Sequence, residues 1–100
     1  FEIIEMKRDQ LKWLMALPRN GILPFDGTYP ALLTWITKSP ASKLTCSGCS
    51  LNHLTILHPE YKRLKIKLGN FKDPRISFEY NEVAKFIAEF NTPHGVRKIV

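Results

Sequence analysis

The chain has 100 residues, 44% hydrophobic and 24% charged, with 11% aromatic. That is the size and make-up of one globular domain, and it excludes a disordered segment, which would hold fewer apolar groups and a more lopsided charge. Fifteen Lys and Arg against nine Asp and Glu give a net +6. The excess is uneven: residues 1–40 carry five basic and four acidic side chains, residues 41–100 ten and five. The longest apolar run, Trp13 to Leu17, is far short of the roughly 20 residues a bilayer requires, so no membrane partner is expected. Two cysteines are too few for a secreted disulfide scaffold, which points to an intracellular setting, cytoplasm or nucleus. The chain opens on Phe1 and closes on a strand-like Gly95–Val100, so it reads as a single globular domain, 1–100, excised from a longer polypeptide.

In chain order, Phe1 to Met6 fits either a short strand or the lead-in to a helix. From about Asp9, Leu11, Leu14 and Met15 fall at i, i+3 and i+4, with Trp13 and Leu17 broadening the apolar face, which predicts a helix stopped by Pro18. Asn20-Gly21 and Asp26-Gly27 are turn dipeptides. A second helix is expected from Thr28 as N-cap, with Pro30 in the first turn and Leu32, Leu33 and Ile36 as its buried stripe, ending at Ser39-Pro40. Ala41 to Ser50 reads as a loop or tight hairpin, and Leu51 to Leu57 as a strand.

The sharpest local expectation is a β-hairpin over 62–68 and 75–80. Lys62-Arg63-Leu64-Lys65-Ile66-Lys67-Leu68 alternates basic with apolar, Arg75 to Tyr80 alternates likewise, and Gly69 to Pro74 is rich in turn formers. The paired strands would match Leu64 with Phe78 and Ile66 with Ile76 inside, and Arg63 with Glu79 outside. A third helix is predicted after Asn81, with Val83, Phe86, Ile87 and Phe90 at i, i+3, i+4 and i+7 and Asn91-Thr92-Pro93 as its stop. The expected fold class is therefore α+β: a small antiparallel sheet including that hairpin, with about three helices packed on one face.

Arg63, Lys65, Lys67 and Arg75 would project from one face of the hairpin, with Lys72 and the aromatic Phe71 in its loop. Phosphate neutralisation by those five cations and base stacking by Phe71 give the leading functional expectation, a nucleic-acid-binding module for RNA or single-stranded DNA. The competing explanation of the same residues is a solvated sheet face whose lysines guard an edge strand. No predicted helix is basic enough to read a duplex groove. The alternative function is a protein-interaction or structural domain of a larger, processed protein, docking another protein domain through its helical face or sheet edge, a reading that an exposed Trp13 or Trp35 or a contiguous apolar patch would favour.

Cys46 and Cys49, followed by His53 and His58, form a C-x₂-C-x₃-H-x₄-H run of zinc-ligand types. It is similar to the retroviral zinc knuckle C-x₂-C-x₄-H-x₄-C, but departs in one spacing and in the last ligand. The intervening Leu51, Leu54, Ile56 and Leu57 are too apolar for a knuckle, and on a strand His53 and His58 would point to opposite faces. A small zinc-binding domain is thus a second alternative, with two ordinary reduced cysteines the simpler reading. No Gly-rich phosphate loop is present and no catalytic residue is assigned; an enzyme would need a cysteine within reach of His53, His58 or His94.

Overall fold

The computed structural model describes residues 1–69 and 71–100. It is built mostly of strands: β1 (Glu2–Arg8), β2 (Leu11–Leu17), β3 (Leu32–Trp35), β4 (Ser50–Leu57), α1 (Tyr61–Lys67), β5 (Ile76–Glu79), β6 (Lys85–Thr92) and β7 (Gly95–Ile99). Short 3₁₀ turns lie at Phe25–Gly27 and Pro40–Lys43. Contacts divide the chain into two units, Phe1–Leu23 with Pro30–Thr45, and Pro24–Tyr29 with Cys46–Val100.

The first unit is an antiparallel sheet in the order β1-β2-β3. The helix predicted from about Asp9 to Leu17 is instead β2. Leu11, Trp13, Met15 and Leu17 are spaced by two and lie on one face, opposite Arg8, Met6, Ile4 and Glu2 of β1. Asp9-Gln10 forms the turn, and Asp9 adopts φ 54°, the backbone hand that two-residue hairpin turns favour. The helix predicted from Thr28 is likewise replaced, by β3, whose Trp35 stands opposite Trp13 with ring centroids 5.4 Å apart. β-branched and aromatic side chains gain more from such cross-strand contacts than from a solvated helix.

The second unit is a mixed sheet in the order β5-β4-β6-β7. The expected strand over 51–57 is present as β4. β5 runs parallel to it, and β6 pairs with it antiparallel on its other side. Parallel neighbours need a long crossover, and α1 lies within it. The expected 62–68/75–80 hairpin therefore does not form: its first strand is α1, and Ile76 and Phe78 pair with Leu54 and Ile56 of β4. Asn70, in the expected hairpin loop, lies outside the described residues. The third predicted helix is overturned as well, because Lys85–Thr92 is β6. Among the described residues, one α-helix of seven residues stands where about three were expected.

Leu64 is wholly buried, and with Leu68 and Ile56 it forms the core of this unit. Phe25, Tyr29, Leu54, Ile76 and Phe78 pack around them. Leu64 and Leu68 sit four residues apart on one side of α1, whereas Ile66 is 79% exposed. That helical spacing, not the alternation, matches the burial.

Candidate functional site

The basic residues of the sequence are carried by α1 rather than by a hairpin face. With Leu64 and Leu68 turned to the sheet, Lys62, Arg63, Lys65 and Lys67 are all exposed, and Tyr61–Lys67 contains no acidic residue. At about 100° per residue, Lys65 and Lys67 stand some 200° apart around the axis, on opposite flanks of the helix. Lys62 and Lys65, three residues apart, share one flank. Arg63 and Lys67, four apart, share the other.

Two of the expected phosphate contacts are already committed. Arg63 Nη1 donates to Glu60 Oε1 at 2.9 Å, and its guanidinium lies 5.4 Å from the Phe25 ring centre. Arg75 holds Asp73 through two side-chain hydrogen bonds of 2.9 and 2.6 Å. Those bonds, with the Arg75 backbone N–H donating to the same carboxylate, lower the Asp73 pKa to about 2 and raise that of Arg75. Lys62, Lys65, Lys67 and Lys72 form no ion pair among the described residues. Phe71 is 58% exposed in the loop after α1. The structure thus leaves four lysines and an open aromatic ring on this surface, without the single plane a hairpin would have supplied.

The Cys/His run is dispersed. Cys46 and Cys49 are exposed and free. His53 Nε2 shares a 2.7 Å hydrogen bond with Ser77 Oγ, while His58 is 3% exposed and bonds elsewhere. Among the described residues, no group of three or more His, Cys, Asp or Glu is gathered as for a metal ion.

His58 organises a feature that sequence reasoning missed. Phe25, Asp26 and Gly27 all have positive φ, at 55°, 55° and 87°, a left-handed turn that costs each L-residue about 1–2 kcal/mol. His58 Nδ1 accepts the Glu60 N–H at 2.8 Å, so the ring proton sits on Nε2, which donates to Asp26 Oδ2 at 3.0 Å. The Phe25 ring meets the imidazole edge-on at 5.3 Å, and Thr28, itself buried, donates its hydroxyl to the Phe25 carbonyl at 2.7 Å. These contacts hold the turn against its strain. An open cleft of about 280 Å³ is lined by Pro24, Phe25, Asp26, His58, Glu60 and Arg63. Both imidazole nitrogens are satisfied within the fold, which makes His58 a positioning group for the turn.

A second arrangement lies on the sheet face turned away from α1. Strand register places His53 of β4, Glu89 of β6 and Lys98 of β7 in one row, and Ser77 of β5 joins it diagonally through its hydrogen bond to His53. His53 stands opposite Glu89, Glu89 opposite Lys98, and Ser77 reaches His53 from beside Thr55. The row carries a hydroxyl, an imidazole, a carboxylate and an ammonium. The alternation of 85–91, with Phe86, Ala88 and Phe90 on one side and Glu89 on the other, was the sequence signal that could have revealed it.

Comparison with protein-family models, with curated proteins and with solved structures finds no match for this chain.

Proposed function

We propose that this chain binds a polyanion, with single-stranded nucleic acid as its preferred class, through α1 and the loop that follows it. The observation that carries the reading is the exposed surface of α1, where Lys62, Lys65 and Lys67 lack acidic partners among the described residues and Phe71 stands open nearby. Lysines supply the phosphate term and an exposed ring supplies stacking that tolerates any base. Because Lys65 and Lys67 lie on opposite flanks, one strand meets two or three cations rather than five. The expected slope of log affinity against log salt is therefore about −1.4 to −2.1, or roughly a tenfold loss between about 50 and 200 mM salt. Fluorescence anisotropy with a labelled oligonucleotide measures it. Lys62→Glu/Lys65→Glu should abolish most of the binding, and Arg75→Gln should leave it unchanged because Asp73 already holds that guanidinium. A slope near zero, or undiminished binding by the double variant, overturns the proposal.

A second reading is favoured by the His53–Glu89–Lys98 row with Ser77 bonded to His53, whose donors and acceptors suit a small polar ligand on the sheet face opposite α1. Its distinguishing test is an NMR titration with small anionic and hydroxylated compounds. Shifts centred on His53 and Glu89 support it, whereas shifts confined to Lys62, Lys65 and Phe71 return the assignment to the polyanion surface.

A further inference from the structure

We infer that the free edge of β1 is a self-pairing surface, joining two copies of this chain as neighbouring antiparallel strands. All seven residues of β1 are exposed, and the sheet order leaves one of its edges without a partner strand among the described residues. The direction of its free backbone groups follows from β2. The Lys12 carbonyl accepts from Ile36 N at 2.9 Å, so even-numbered residues of β2 turn their polar groups to the β3 side and odd-numbered ones to β1. Through the register, Glu2, Ile4, Met6 and Arg8 bond to β2, while Ile3, Glu5 and Lys7 direct their N–H and C=O groups off the edge.

An antiparallel copy can use those groups only in registers that set odd residues against odd. The register overlapping the full strand is centred on Glu5. It pairs Ile3 with Lys7 of the second copy through the backbone and sets Ile4 beside Met6, apolar against apolar. It also sets Glu2 beside Arg8, acid against base, at both ends. The surface is thus self-complementary, as a two-fold contact requires. Its one like-charged pair, Glu5 against Glu5, is flanked diagonally by Lys7 of each partner. The other fully exposed edge strand, β7, lacks this property, since self-pairing centred on the strand sets Arg97 against Arg97. Strand addition of this kind draws its affinity from main-chain hydrogen bonds. Glu2 lies 3.5 Å from Arg19 within the chain, an exposed pair that contributes little and yields readily.

Sedimentation equilibrium across a concentration series measures the association, which is expected to be weak, as suits a small interface. Glu5→Pro removes an N–H that β2 does not use, so the hairpin keeps its hydrogen bonds while the new pairing loses two. Its Kd should rise at least about tenfold, with the coupled far-UV dichroism of Trp13 and Trp35 reporting that the sheet is intact. Glu5→Gln removes the like-charged pair and should tighten the dimer several-fold, an outcome independent of how Glu5→Pro folds. A wild-type mass of 11.6 kDa at all concentrations overturns the inference. So does an association that Glu5→Pro with intact dichroism leaves unchanged, or one that Glu5→Gln fails to strengthen.

Discussion

Replacing Leu64 and Ile66 separately by alanine distinguishes a helical from an extended 61–67 segment. On the expected hairpin both side chains face inward and both substitutions should cost alike. In the structure Leu64 is 0% exposed and touches the sheet core, while Ile66 is 79% exposed. Leu64→Ala removes buried methyl groups and leaves a cavity against Ile56 and Leu68, which costs about 3–4 kcal/mol. For Ile66→Ala the burial loss is slight and alanine's better helix propensity offsets it, so the net effect lies within about 0.5 kcal/mol. Both tryptophans belong to the first unit, so their fluorescence reports on the wrong sheet. Native-state hydrogen exchange at the β4 amides reports on the right one. Leu64→Ala should accelerate that exchange by about two to three orders of magnitude, since 1.4 kcal/mol is a factor of ten. Comparable acceleration by Ile66→Ala would refute the helical packing of this segment.

His58→Phe keeps an aromatic ring beneath the Phe25–Gly27 turn but removes the acceptor of the Glu60 N–H and the donor to Asp26. Denaturant unfolding should show a loss of about 1–3 kcal/mol, and a variant as stable as the parent would deny His58 its positioning role. The Asp73–Arg75 pair gives a pH effect whose sign is fixed. Because folding lowers the Asp73 pKa from 3.8 to about 2, its contribution is complete above pH 4 and is lost as pH falls through 2. Carboxyl NMR should place the titration there, and Asp73→Asn should remove that segment of the stability profile.

Several features were legible in the sequence. The strand over 51–57, the turns at Asn20-Gly21 and Asp26-Gly27, the exposure of Phe71 and the local excess of positive charge all follow from residue type and near neighbours. The helices expected over 9–17, from Thr28 and after Asn81 did not form, and the first and third contained a period-two signal. Leu11, Trp13, Met15 and Leu17 alternate, as do Phe86, Ala88 and Phe90. Runs this rich in apolar residues satisfy period two and period 3.6 together, and only the partner decides between them. β2 has β1 and β3 beside it, and β6 lies between β4 and β7.

The segment from Tyr61 to Leu68 shows the same ambiguity in the opposite direction. Its alternation fits a strand, while Tyr61, Leu64 and Leu68 fit a helix. The choice rests on β5, which pairs parallel to β4 and so requires a crossover between them. A direct hairpin cannot supply it, and α1 covers the sheet face that the crossover spans. What the sequence determined by itself was which residues are charged, which are apolar, and where the chain turns. Tertiary pairing decided which lysines share a flank, which arginines are neutralised, and which histidine is buried, because those properties depend on contacts between residues far apart in the chain.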